Sequence, residues 1–245
     1  MKMQQFYGKS YHSLENELIN HFKDNFEDLT QLVFANAYSV VLSENDREFD
    51  FVLRKSQVIP DGFSIIAASK LLKISIKEKI SGPDFINDFL GTCEKIGMRC
   101  FFLGGDSEKM SELLVKVIKD KYPNLEISGS YSPPFGIWSS EENDKIIKNI
   151  NESKTDVLWV GLGSPKQDKW IYHNRKRLRV KIAAGVGAAF NFVTGKVKRA
   201  PVWMQSIGVE WLFRLLQEPR RLWKRYIYGN SMFCYRLIKG FFSIK

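Results

Sequence analysis

Asp61 is the carboxylate best placed to do chemistry. It follows the apolar run 57–60, precedes Gly62 and opens the helical stretch 63–72. That order sets a carboxylate at the carboxyl end of a strand, beside a glycine that lets another molecule approach closely. A carboxylate so placed can act as a general base, taking the proton from an attacking hydroxyl. Asp is also a favoured helix N-cap, and the same residues fit that purely structural role. Two glycine turns add a second kind of chemistry. The run 101–107 reads as a strand, then Gly104-Gly105, then a helix. Backbone N–H groups there, with the helix N-terminus behind them, suit a diphosphate, although a double glycine serves equally as a plain tight turn. The run 161–168 repeats the arrangement with Gly163, Ser164, Pro165, Lys166 and Gln167. Ser164, Lys166 and Gln167 carry donors with the reach to hold a ribose, a uracil or a phosphate.

Other chemistries are excluded by what is missing. There is no G-x-S-x-G elbow, no phosphate-binding G-x-x-x-x-G-K-[ST] loop and no G-x-G-x-x-G fingerprint. His12, His21 and His173 have no zinc spacing, and His173 is expected on an exposed helix face among Lys169, Arg175 and Lys176. No Asp-x-Asp occurs. That pair often holds the divalent metal of sugar-nucleotide enzymes, so neither a metal nor another cofactor is expected. Cys93, Cys100 and Cys234 form no C-x-x-C, which argues against a disulfide framework or a zinc ribbon.

These residues must be carried by a scaffold, and its period is visible. Short Val-, Ile-, Leu- and Phe-rich runs at 31–35, 57–60, 99–103, 125–129, 156–161 and 180–184 alternate with helical spacing at 85–95, 108–119 and 140–151. Such alternation predicts an α/β fold: a Rossmann-like, mostly parallel sheet with helices on both faces. Ligands on sheets of this kind bind at the carboxyl ends of the strands. The length of 245 residues suits one large domain, or one domain with an appendage.

Charge locates that appendage. Residues 196–245 hold eleven of the 37 basic residues but two of the 27 acidic ones, which is nine of the ten net positive charges. They also hold ten of the 33 aromatics. A near-neutral body at 1–195 with a basic, aromatic, helical C-terminal appendage at 196–245 predicts two jobs: catalysis or binding, and contact with something anionic and greasy. Ala200-Pro201 and Glu218-Pro219 each open a helical segment. Arg221 and Arg225 then share a face, and Arg214 joins them if the helix runs straight. A basic amphipathic helix edged by Trp and Tyr suits a membrane surface or a lipid diphosphate; a solvated face on a packed helix is the plainer reading. The longest charge-free runs, 29–43 at 15 residues and 127–140 and 182–195 at 14 each, are short of the roughly 20 that span a bilayer. Residues 1–25 show no apolar run of signal-peptide type, so a cytoplasmic location is expected. A nucleic-acid-binding protein using the tail is the alternative from another class. No groove-reading motif accompanies the charge, however, and the body offers no extended basic channel, so no nucleic-acid partner is expected.

The segments taken together resemble one family. FANAYSVV, Pro60-Asp61-Gly62, Ser81-Gly82-Pro83-Asp84, FFLGG, GSYSPPFG, VGLGSPKQDKWI and the long block GVGAAFNFVTGKVKRAPVWMQSIGVEWLFRLLQEPRRLWKRY are similar, in order, to the bacterial glycosyltransferases of the WecG/TagA/CpsF type. That family includes wall-teichoic-acid N-acetylmannosaminyltransferases and N-acetylmannosaminuronic acid transferases. The resemblance implies a UDP-sugar donor, a polyprenyl-diphosphate-linked sugar acceptor and metal-free inversion. It also implies peripheral attachment to the inner face of the cell membrane, and self-association. It matches Asp61 to the proposed base, Asn36 and Gln167 to the lining of the donor and acceptor pocket, and Arg214, Arg221 and Arg225 to an appendage that neutralises diphosphate charge. Three positions depart from the pattern. Phe34-Ala35-Asn36 stands for Thr-x-Asn, Lys79 for a residue that is often Arg, and Asn191 for Asp. They leave the identity of the sugar open.

Overall fold

The computed structural model describes residues 3, 5–24 and 28–242, with side chains through 239. Phe241, Phe242 and 243–245, counted above in the basic aromatic tail, lie outside the described side chains or residues. Six strands are present: β1 (Thr30–Ala35), β2 (Gln57–Pro60), β3 (Cys100–Gly104), β4 (Ile127–Tyr131), β5 (Val157–Gly161) and β6 (Ile182–Gly185). Their order in the sheet is β2-β1-β6-β5-β3-β4. The pairings β1–β6, β6–β5, β5–β3 and β3–β4 are all parallel. The expected α/β class is therefore the observed one.

The chain forms two compact units. The larger comprises His12–Val33 and Gly82–Lys196. Successive residues of its strands point to opposite faces, and both faces are covered. On one face Phe101, Leu103, Leu158 and Val160 join Ile146, Ile150 and Ile171 from helices Ser140–Glu152 and Lys166–Asn174. On the other, Trp159 meets Phe85 and Phe89 of helix Gly82–Ile96 at 5.9 and 6.2 Å between ring centroids. Phe102 meets Phe190 of helix Ala189–Val193 at 6.0 Å. Burying each of these side chains contributes about 1.5–3 kcal/mol, so the sheet is held from both sides.

The smaller unit comprises the residues up to Tyr11, Phe34–Ser81, and the chain from Val197 onward. Helix Ala37–Asn45 packs against the C-terminal helix Gly229–Phe242, where Glu44 and Arg236 form an ion pair. Phe233 of the same helix is buried. The tail is broken where its prolines predict. Helix Glu210–Gln217 stops, Glu218 turns, and Pro219 sits in the first turn of Pro219–Trp223, followed by a π-helical turn at Lys224–Tyr228.

Two strands begin two residues later than the sequence reading places them. The strand expected at 125–129 is Ile127–Tyr131. Leu125 is fully buried but precedes the ladder, and the ladder shifts register between Cys100 and Phe101. The strand expected at 180–184 is Ile182–Gly185.

Candidate active site

In the smaller unit, Asp61 leaves the end of β2 with its backbone N–H donating to the Ala35 carbonyl at 2.9 Å. The N-cap of helix Phe63–Leu71 is Gly62, not Asp61, and it brings no capping side chain. Gly62 has φ +103°, a backbone that L side chains rarely adopt. A Cβ there would stand 3.6 Å from the Asn36 Cβ, so the two segments lie side by side. Asn36 is the N-cap of helix Ala37–Asn45. Its Oδ1 accepts from the N–H groups of Tyr38 and Ser39, and Ser39 Oγ accepts from the Asn36 N–H. The oxygen end of Asn36 is thus committed to the helix. Its Nδ2 makes no hydrogen bond among the described residues and remains a donor for a ligand.

The larger unit shows the same split on Gln167. This side chain is almost fully buried, and its Oε1 accepts the N–H groups of Gly163 and Gly187 at 3.0 Å each. Two N–H donors on one atom identify that atom as the oxygen. Gln167 therefore ties the turn after β5 to the turn after β6, and only its Nε2 is left for a ligand. The glycines of these strand ends serve the interior first. A Cβ on Gly104 would strike the Gly161 backbone, one on Gly161 the Phe190 ring, and one on Gly185 the side chains of Gln167 and Asp168. Gly163 faces open space. Gly105 lies over Met110, Ser107 and Ser132. Ser107 caps helix Glu108–Lys121, and the neighbouring Asp106 pairs with Lys196.

Pro165 is the N-cap of helix Lys166–Asn174, with Ser164 just ahead of it. The Lys166 ammonium donates to the Gly136 carbonyl at 2.7 Å and lies 4.4 Å from the centre of the Trp138 ring. Burial pulls its pKa below the ordinary lysine value. It lines a cavity of about 450 Å³ with Trp138, Ser139, Asn143 and Trp170, at the amino ends of two helices. This cavity has no local signature, because Trp138 and Asn143 lie some twenty to thirty residues upstream of Lys166 and Trp170. Asp168, read only as part of the turn, is fully buried beside Gln167.

The three tail arginines, grouped above on one face, divide. Arg214 is buried, and its Nη2 meets Glu218 Oε2 at 2.9 Å. Arg221 is exposed, and its Nη2 meets the same oxygen at 2.6 Å. Arg225 makes no hydrogen bond among the described residues, and its Nε is buried. Glu218 was not singled out in the sequence; its place four residues after Arg214 and three before Arg221 was the available signal. His173 is exposed on its helix, as expected.

The chain matches the Glycosyl transferase WecG/TagA/CpsF family over residues 4–245. It is 33% identical over 181 residues to an N-acetylglucosaminyldiphosphoundecaprenol N-acetyl-beta-D-mannosaminyltransferase of Bacillus subtilis (strain 168), covering 74% of this chain and 68% of that one. Proteins of the same name are similar from Bacillus spizizenii (29% identity; 84% and 79% covered) and Staphylococcus aureus strain MRSA252 (26%; 80% and 74%).

Proposed function

The chain belongs to the WecG/TagA/CpsF family of glycosyltransferases, and from that premise we propose that it transfers a sugar from a UDP-sugar to a polyprenyl-diphosphate-linked acceptor sugar. An N-acetylmannosamine-like hexose is the proposed cargo, in the synthesis of a cell-surface polysaccharide or teichoic-acid-type polymer. The observation that carries the reading is Asp61 itself. It is a carboxylate at a strand's carboxyl end, ahead of a glycine N-cap and beside Asn36, whose amide nitrogen is unspent.

In the proposed reaction Asp61 takes the proton from the acceptor hydroxyl as its oxygen attacks the anomeric carbon. The new glycosidic bond forms while the bond from that carbon to the UDP oxygen breaks, so one displacement inverts the centre. Negative charge grows on the departing diphosphate. N–H groups at the turns around Gly104-Gly105 and Gly163-Ser164-Pro165, the helix start at Lys166 and the amide of Gln167 are proposed to meet it. A metal is not required in this scheme, since protein donors and cations carry the compensating charge.

The tail is proposed to hold the protein at the inner face of the cytoplasmic membrane. Val202, Trp203, Leu216, Trp223 and Ile227 are exposed, and Arg220 and Lys224 lie among them. No helix of the described residues is long and apolar enough to cross a membrane.

The test is transfer in EDTA from a panel of UDP-sugars to a short-chain prenyl-diphosphate N-acetylglucosamine. A lipid-linked disaccharide with released UDP supports the reading. Failure of every donor, together with no binding of UDP by calorimetry, would remove it.

A further inference from the structure

One segment of the larger unit touches both of its glycine turns, which adjoin because Gly104 pairs with Gly161. It runs from Ser132, after β4, to Trp138, ahead of helix Ser140–Glu152. Where it starts, a Cβ on Gly105 would lie 3.7 Å from Ser132 Oγ, so the segment leaves beside the first turn. In its middle, the Gly136 carbonyl accepts from the Lys166 ammonium at 2.7 Å, and Lys166 opens the helix that follows the second turn. Where it ends, the Trp138 indole N–H donates to the Pro134 carbonyl at 2.8 Å, and the same ammonium stands over that ring.

The ends of the segment are anchored and its tip is not. Pro133 is buried, and Trp138 meets Trp170 edge-on at 6.1 Å between ring centroids. Between them Phe135 and Ile137 are fully exposed. Gly136 separates the two, with φ +109° and open space where a Cβ would stand, so the backbone there is free to turn as a hinge does. Among the described residues the tip is tied to the body by the Lys166 ammonium. The partners of that ammonium are a neutral carbonyl and an aromatic face, and an ionised acceptor holds a donor roughly twice as strongly as a neutral one. A phosphate brought to the glycine turns therefore outcompetes Gly136. With Lys166 drawn away, Phe135 and Ile137 leave water by folding onto what lies between the turns.

We propose that segment 132–138 is a flap latched open by Lys166: a bound phosphate group draws the ammonium off the Gly136 carbonyl, and Phe135 and Ile137 close over the nucleoside attached to that phosphate. The nucleoside rests on the UDP-sugar reading given above, whereas the latch needs only the anion. Closure shields the anomeric carbon from water, so a flap that answers to the donor commits the sugar to the acceptor hydroxyl and not to hydrolysis.

The experiment is limited chymotrypsin digestion of the full chain, with the cut at Phe135–Gly136 followed by mass spectrometry and ligand saturation set by calorimetry on the same samples. Inorganic diphosphate takes the ammonium but offers no nucleoside, and should speed the cut by about three- to tenfold. UDP takes the ammonium and covers the tip, and should slow the cut by about tenfold or more. Lys166→Met keeps the stem on Trp138 without the charge, and should be cut faster than wild type before any ligand is added. Lys145→Met, which removes a nearby ammonium from over the Tyr131 ring, should be cut at the wild-type rate. If diphosphate speeds the cut and UDP does not bind, the latch stands and the donor reading falls. If UDP binds and leaves the cut unchanged, the flap falls while the donor reading stands. Equal rates in Lys166→Met and wild type, equal acceleration in Lys145→Met, or no acceleration by diphosphate would overturn the proposal.

Discussion

Arg214 and Glu218 meet at 2.9 Å across the break between two helices, with the Arg214 side chain 9% exposed and that of Glu218 23%. The contact fastens the end of Glu210–Gln217 to the start of Pro219–Trp223 and draws in Arg221 from the next turn. Glu218→Gln removes the charge that both guanidiniums use. The expected cost is about 1–3 kcal/mol, because Arg214 stays buried. Thermal unfolding should show a drop of about 2–4 °C per kcal/mol. Arg221→Gln should cost less than 1 kcal/mol, since that partner is half exposed. Equal drops in the two variants would contradict a selective role for the buried arginine.

Gln167 predicts a different loss. Replacing it by Met keeps the volume but leaves the N–H groups of Gly163 and Gly187 without their acceptor. Each orphaned group costs about 1–3 kcal/mol. Denaturant unfolding should register the loss, and UDP affinity should fall with it as the two turns come apart. Wild-type stability in Gln167→Met would show that the brace is dispensable.

Gly208 has φ +80° and abuts the base of the Phe63 side chain. Alanine there meets both the left-handed backbone penalty and the ring, for an expected cost of about 1–3 kcal/mol. Transfer activity should fall along with the melting temperature, because the same contact holds the tail beside Asp61. A Gly208→Ala protein with full activity and stability would argue that the contact is loose.

Trp203 and Trp223 are 61% and 49% exposed. Changing both to Ser should weaken pelleting with phosphatidylglycerol vesicles by roughly tenfold or more, since burying one such side chain contributes about 1.5–3 kcal/mol. Added salt should weaken binding further through the basic residues. Deleting 196–245 is the poorer test, because the tail packs with Phe34–Ser81 in one unit and Phe233 is part of that core. Vesicle binding unaffected by the double change would place the membrane contact elsewhere.

The sheet was legible because β3, β5 and β6 are nearly all-apolar runs ending in glycine, and parallel strands buried on both faces read that way. The edge strand β4 was misplaced by two residues. Its Ile-Ser-Gly-Ser-Tyr sequence is largely polar and half-exposed, while the buried Leu125 just before it carried the apolar signal. Asp61 and Gln167 could be picked out as polar residues at strand ends. That Gln167 spends its oxygen on two backbone N–H groups could not, since Gly187 is twenty residues away. The contacts Gly208–Phe63 and Gly229–Tyr38 were invisible for the same reason: a glycine pressed against a distant ring leaves no local pattern. Glu218 was passed over because a lone acid in a basic helix reads as a surface residue until its burial is seen.

The central claim is that Asp61 is the base, and Asp61→Asn tests it most directly. The amide keeps the size and the neighbours but cannot take a proton at neutral pH. Single-turnover transfer with a prenyl-diphosphate acceptor and a UDP-sugar, measured beside UDP titration of the same protein, separates chemistry from binding. The account predicts transfer reduced by about 100-fold or more, with UDP affinity within about threefold of wild type. Turnover equal to wild type would contradict it.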